Sequence, residues 1–258
     1  MDPLLDFGAK SAIITGAGSG FGAALALELA KRGASLVLAD INAEGLQVTE
    51  AEAKAAGAKV ICEVGNVADE AHAKLLVERA QQVFGGIDIA VNNAGIAPAP
   101  AAIDQLDADV LDKQLDVNVK GVAYGLKYQL PAMAAKQGGA VLNVSSMAGL
   151  GGAPLVASYA AAKHAVIGLT KTAAFEYARQ GVRVNAICPF FTQTPMVMDS
   201  EFSTGSVEEL DKMLGRSSPM KRIAERDEIV CVMLMMLSPK NTYMNGVAIP
   251  VDGGMSAL

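Results

Sequence analysis

The stretch Ser11-Ala12-Ile13-Ile14-Thr15-Gly16-Ala17-Gly18-Ser19-Gly20-Phe21-Gly22 decides the fold. Its first five residues form a short, largely apolar run that ends in a glycine turn, the pattern of a strand buried on both faces. Residues 19–32 then read as a helix, with Leu25, Leu29 and small alanines on one side and Gly33 as its stop. Read as G-x-G-x-x-G from Gly16, the loop fails at its third glycine, where Phe21 stands. Read as T-G-x-x-x-G-x-G, it fits on Thr15, Gly16, Gly20 and Gly22. Glycines at such a turn let the backbone approach an anion without Cβ atoms in the way. The helix start near Ser19 adds unpaired N–H groups and a positive dipole end. A pyrophosphate-binding turn is therefore expected, with Gly16, Ser19, Gly20, Phe21 and Gly22 as its contacts.

The same rhythm repeats outward from this turn. Strand patterns at 36–39, 60–63, 87–91, 140–144, 182–187 and 247–251 alternate with helical ones at 69–84, 109–136 and 159–180, and with an Ala/Glu/Lys helix that stops near Gly57. Alternating units of this length predict an α/β fold: one doubly wound, parallel sheet of about seven strands with helices on both faces. The 258 residues suit one core, so residues 1–258 are expected to form a single dinucleotide-binding and catalytic domain. Ligands of such sheets lie at the carboxyl ends of the strands. Asp40 stands at one of these ends, twenty residues beyond Gly20. A carboxylate there accepts hydrogen bonds from an adenosine ribose and repels a 2′-phosphate. No Arg or Lys occurs within 17–19 or 41–42, so Asp40 and its neighbour Ile41 favour NAD over NADP.

Composition narrows the function. Net charge is −6 with no basic run longer than two residues, which argues against nucleic-acid binding. Three scattered cysteines, Cys62, Cys188 and Cys231, lack metal-ligand or disulfide spacing, and only two histidines are present. No metal site is expected. The opening residues carry no basic region before an apolar stretch, and the apolar runs are too short or too interrupted to span a bilayer. A cytoplasmic protein without membrane partners is expected.

Later motifs give the turn its context. Asn92-Asn93-Ala94-Gly95 follows the fourth strand; Tyr159-Ala160-Ala161-Ala162-Lys163 begins a helix; Ser146 lies thirteen residues before Tyr159; Val251-Asp252-Gly253-Gly254 closes the chain. Together with the T-G-x-x-x-G-x-G loop and Asn118, these motifs resemble the short-chain dehydrogenase/reductase family over essentially the whole chain. The resemblance implies a catalytic set of Asn118, Ser146, Tyr159 and Lys163. In it Lys163 also holds the nicotinamide ribose, and the Asn118 backbone holds a proton-relaying water. It further implies cofactor contacts from Asn93, Ala94, Gly95, Pro189, Thr194 and Met196, and a homotetramer or homodimer paired through the two long helices.

The chemistry follows from the residues as well. Tyr159 and Lys163 stand four apart on one helix face. A nearby ammonium favours the phenolate and is expected to lower the tyrosine pKa from its usual ~10. Tyr159 then takes a proton from an alcohol or gives one to a ketone, while Ser146 hydrogen-bonds the same oxygen. Asn118 is a poor helix former in a helical run, compatible with a local distortion.

Two positions depart from the family. Asn66-Val67 replaces the usual Asp-Val beside the adenine, where the Asn amide oxygen can still accept. Phe190 replaces the glycine that often follows Pro189, and is expected to reshape the substrate site. Ten of the twelve methionines lie at or after Met147, in the half that also holds Phe190, Phe191 and Phe202. Flexible apolar residues suit a greasy cavity, so Met147, Phe190, Phe191 and Met196 are expected to line the substrate pocket, with 190–220 as a lid.

The function expected is an NAD-dependent oxidoreductase interconverting a secondary alcohol and a ketone of bulky apolar type, such as a steroid, alicyclic or aromatic alcohol. A 3-oxoacyl-carrier-protein reductase is a second reading, with Arg216, Lys221 and Arg222 as a local patch for the carrier. A catalytically silent dinucleotide-binding subunit is a third.

Overall fold

A computed structural model of the chain describes residues 2–199 and 206–257. β1 (Ser11–Thr15) leads into α1 (Gly20–Lys31). There follow β2 (Ser35–Asp40), α2 (Ala43–Ala55), β3 (Val60–Val64), α3 (Glu70–Phe84), β4 (Ile89–Asn92), α4 (Ala108–Leu115) and α5 (Gly121–Ala135). The second half contains β5 (Gly139–Val144), α6 (Ala157–Tyr177), β6 (Val182–Pro189), α7 (Pro195–Met198), α8 (Val207–Leu214), α9 (Arg226–Leu237) and β7 (Ala248–Val251).

The strands form one sheet in the order β3-β2-β1-β4-β5-β6-β7, and every pairing is parallel. Alternation along the strands divides the core into two layers. Ala12, Ile14, Leu36 and Leu38 face the layer that holds Leu25 and Leu29 of α1 and Met233 of α9. Ile13, Val37 and Ala39 face the opposite layer, with Leu76 of α3, Leu126 of α5 and Val166 of α6. All five residues of β1 are buried, as a central parallel strand requires. The order of the strands reverses between β1 and β4, and the crevice there is where such sheets take their ligands. No helix among the described residues is long and apolar enough to cross a membrane.

The continuous helix expected over 109–136 is interrupted. α4 and α5 are joined by a π-helical turn, Asp116–Lys120, in which the Gly121 N–H reaches back to the Asp116 carbonyl. The distortion expected at Asn118 therefore takes the form of one extra residue in the turn. A buried polar chain fastens this region to the sheet. Asn92 Nδ2 donates to Gln129 Oε1 (3.1 Å) and Asn143 Oδ1 (2.9 Å), and Asn143 Nδ2 donates to Thr170 Oγ1 (2.9 Å).

Candidate active site

The glycine turn and the Asn93-Ala94 turn are built as one unit. Thr15 Oγ1 accepts from the N–H groups of Asn93 and Ala94 (3.1 and 3.2 Å), and Asn93 Nδ2 donates to the Thr15 and Gly16 carbonyls (2.9 and 3.0 Å). This packing explains Gly16 and Gly22. A Cβ on Gly22 would stand 2.1 Å from the Gly16 carbonyl oxygen, and Gly16 itself has φ +67° with Asn93 and Ala94 within 3 Å of a Cβ. Gly20 differs: its φ is +53°, yet the nearest atom to a Cβ would be in Thr194 at 3.8 Å. It keeps open the gap between the turn and the segment after β6. Ser19, in extended conformation ahead of α1, makes no side-chain cap bond, whereas Asn42, Asp69 and Asp107 cap α2, α3 and α4. An open cradle, uncapped N–H groups and no acid in the first turn fit a pyrophosphate.

Asp40 closes one side of the cradle. Its Oδ2 accepts from the Gly18 N–H at 2.7 Å and its Oδ1 from the Asn42 N–H at 2.8 Å. Gly18, absent from the sequence pattern, is small for this reason: its Cβ would lie 3.0 Å from the Asp40 carboxylate. Ile41, beside it, is exposed. Asn66 turns its amide oxygen to the Ala68 N–H at 3.0 Å, and Val67 packs on Gly121.

The residues expected to carry the acid/base chemistry converge from separate elements. Ser146 follows β5, Tyr159 and Lys163 lie in the first turns of α6, and Asn118 lies in the π turn. Ser146 stands beside the Tyr159 phenol and pulls its proton affinity down, and the Lys163 ammonium lies 5.4 Å from the centre of the Tyr159 ring. Lys163 Nζ donates to the Val144 carbonyl at 2.9 Å. The Asn118 amide donates to the Ile96 carbonyl and to Gln114 Oε1. Lys163 and Asn118 meet over Gly95, whose Cβ would stand 3.5 Å from Lys163 Nζ and 2.9 Å from Asn118 Oδ1.

Burial governs the proton affinities here. It pulls the Lys163 ammonium down to about 8. It also holds the Tyr159 phenol above its ordinary value, against the opposing pull of Ser146. The sequence expectation was a lowered tyrosine. Tyr159 is half-buried, and loss of water disfavours the phenolate more than the nearby groups favour it.

Pro189 ends β6, and buried Thr194 donates weakly to the Thr192 carbonyl (3.4 Å) across from Gly20. Met196, on α7, is exposed, and Met147 opens the short turn after Ser146. The Phe190 and Phe191 rings are tilted at 56° to each other, with centres 4.6 Å apart. They line a cavity of about 110 Å³ with Met220, Ile229, Val251 and Gly253. Tyr159, Ser146, Met147 and Met196 are not among its walls. Of the 190–220 segment expected as a lid, residues 200–205, with Phe202, lie outside the described residues. Sequence reasoning missed Gln114 and Gly149 and gave Ser145 no role. No chemical motif marks them; only packing brings them in.

Comparison with known proteins agrees with this geometry. A family profile described as Enoyl-(Acyl carrier protein) reductase matches residues 16–256. Cyclohexanol dehydrogenase of Acinetobacter sp. (strain SE19) is 38% identical, over 97% of this chain and 96% of that protein. Levodione reductase of Leifsonia aquatica is also 38% identical, over 99% and 97%. A crystal structure of levodione reductase superposes with a TM-score of 0.92 at 37% identity, covering 97% of this chain and 99% of that one. NAD+-bound xylitol dehydrogenase does so with a TM-score of 0.89 at 32% identity, covering 96% and 99%. The glycine cradle, the Asn-Asn-Ala-Gly turn and the Ser146, Tyr159 and Lys163 cluster thus stand on a shared framework, and the chain is an oxidoreductase that belongs to the short-chain dehydrogenase/reductase family.

Proposed function

We propose that the protein is an NAD-dependent dehydrogenase that interconverts a bulky apolar secondary alcohol, alicyclic in class, and its ketone. The observation that carries this reading is the convergence of Ser146, Tyr159 and the buried Lys163, whose ammonium lies 5.4 Å from the Tyr159 ring centre. The alicyclic class rests on the similarity to cyclohexanol dehydrogenase and on the Met- and Phe-rich second half of the chain.

NAD is favoured over NADP because the Asp40 carboxylate faces the cradle and no cation flanks it at 17–19 or 41–42. Similarity to an NAD+-bound xylitol dehydrogenase supports a nicotinamide cofactor. Gly16, Ser19, Gly20, Phe21 and Gly22 would hold its pyrophosphate, Asp40 and Ile41 the adenosine ribose, and Asn66 and Val67 the adenine. Asn93, Ala94, Gly95, Lys163, Pro189, Thr194 and Met196 would hold the nicotinamide half. When bound, the oxidised nicotinamide accepts the hydride and adds a positive charge that favours the Tyr159 phenolate.

Tyr159 receives the hydroxyl proton of the alcohol, or returns it to the ketone oxygen. Ser146 Oγ already accepts from the Ala148 N–H at 3.2 Å, which turns its own O–H toward Tyr159 and the substrate oxygen. The Lys163 ammonium stabilises charge on Tyr159 across a short, desolvated gap. Asn118 holds the turn at Ile96 that borders the site.

The whole of 1–258 acts as one catalytic domain on this reading, with 190–220 as its substrate-binding lid and Met147, Phe190, Phe191 and Met196 toward the substrate. The carrier-protein reading is weaker, because Arg222 is engaged by both oxygens of Glu228 and Lys221 by the Arg216 carbonyl. Three unpaired cysteines suit the reducing cytoplasm, and a homotetramer or homodimer through α5 and α6 is the expected assembly. The test is NADH formation from NAD+ with a panel of cyclic and acyclic secondary alcohols. Cyclohexanol-type alcohols should lead, and Tyr159→Phe should abolish turnover. Retained turnover in that variant would end the acid/base reading.

A further inference from the structure

Ser145, which precedes Ser146 at the end of β5, meets the backbone of Lys163. Ser145 is 3% exposed, and its hydroxyl donates to the Lys163 carbonyl at 2.9 Å. A carbonyl inside a helix already serves the N–H four residues on, so this bond is an additional tie from α6 to the end of β5. The Lys163 ammonium is tied to the same strand through the Val144 carbonyl at 2.9 Å. One lysine is thus held at both ends by consecutive residues, and the next residue in that chain is Ser146.

Cys188 of β6 is fully buried beside Ser145 and Ser146, and burial pushes its thiol up to about 11, so it remains S–H at neutral pH. Space for this junction depends on Gly149, where a Cβ would stand 2.5 Å from Ser145 Oγ and 2.6 Å from the Lys163 carbonyl oxygen.

From these contacts we infer that Ser145 is a positioning residue for the reaction: its hydroxyl sets α6 against β5 so that Tyr159 and Lys163 face Ser146. The inference rests on the acid/base reading given above. Interactions between charges in a desolvated site change steeply with distance. Without the Ser145 bond, Lys163 gains freedom to move relative to Ser146. Its ammonium then stabilises the phenolate less, and Tyr159 keeps its proton to higher pH.

The test is Ser145→Ala in the full-length enzyme, assayed with NAD+ and cyclohexanol across pH. The expected result is a fall in kcat of about tenfold with the alcohol KM within about twofold. The rising limb of the oxidation profile should move up by about half a pH unit or more. Gly149→Ala, whose new methyl displaces the same hydroxyl, should move the limb in the same direction. A merely structural role would lower Tm and the folded fraction but leave the limb in place. That outcome, or an unchanged kcat, overturns the inference. Tyr159→Phe run alongside separates the two levels. If it keeps turnover, the acid/base reading falls; if it is inactive while Ser145→Ala matches the parent enzyme, only the role of Ser145 falls.

Discussion

The Asn118 side-chain amide exchanges two hydrogen bonds with the Ile96 backbone, donating to its carbonyl and accepting from its N–H, each at 2.9 Å. The second amide hydrogen goes to buried Gln114 at 2.7 Å. The amide is therefore satisfied on every side, and it pins the chain after Asn92-Asn93-Ala94-Gly95 to the π turn. Asn118→Ala would leave Ile96 and Gln114 with unpaired groups. A loss of about 1–3 kcal/mol in unfolding free energy is expected, measurable by urea titration. The alcohol dehydrogenase kcat should fall by about tenfold or more, since the border of the acid/base site is no longer held.

Gly125 leaves room for the polar chain beneath the site. A Cβ there would lie 2.6 Å from Asn92 Oδ1 and 3.0 Å from Gln129 Nε2. Gly125→Ala gains helix propensity but pushes apart two buried, mutually bonded amides. The steric and hydrogen-bond losses dominate, so the variant should be destabilised by about 1–3 kcal/mol. Equal or greater stability in urea than the parent would contradict the packing described.

Asp40 is the determinant of cofactor choice on the proposed reading. Asp40→Asn removes the charge that repels a 2′-phosphate while keeping one acceptor oxygen near the Gly18 N–H. The ratio of kcat/KM for NAD to that for NADP should drop by about tenfold, the equivalent of ~1.4 kcal/mol. Steady-state kinetics with both cofactors measure it, and an unchanged ratio would remove Asp40 from the argument.

Opposite pH dependences are expected in the two reaction directions. On the proposed reading oxidation needs Tyr159 deprotonated, and burial raises its pKa, so oxidation should climb above neutral pH while ketone reduction declines. Stability without cofactor carries its own signature. Lys163 titrates near 8 in the fold against 10.5 outside it, so between these values the unfolded chain binds more protons. Stability should therefore rise with pH across that window, and be lost as pH falls through about 8. The raised Tyr159 acts in the other direction above its ordinary value, where the fold retains a proton that the unfolded chain releases. Thermal melts of the parent and Lys163→Met between neutral and alkaline pH should differ in this slope.

Much of the molecule can be read from local pattern. Strand and helix periods, the T-G-x-x-x-G-x-G turn, Asp40 at its strand end and the Tyr159/Lys163 spacing are short-range properties of the chain, so the parallel sheet and the glycine cradle follow from them. The continuous helix over 109–136 did not survive, because one residue more than an α-turn holds is accommodated at Asp116–Lys120, and the tertiary bonds of Asn118 reward that geometry. Phe190 stands in the expected place in the chain. Its cavity is shared with Ile229 and Gly253, residues far from it in sequence.

What the sequence alone determined is therefore the layered sheet, the sites at its strand ends and the residue types able to move a proton. Those depend on periodicity and on spacings within one turn or one strand. Tertiary structure alone decided the direction of the Tyr159 pKa, the pairing of Asn118 with Ile96, and the junction of Ser145, Gly149 and Lys163. Each of these depends on desolvation or on contacts between β5, β6, α6 and the π turn, and a chain read one residue at a time contains neither distances nor dielectric.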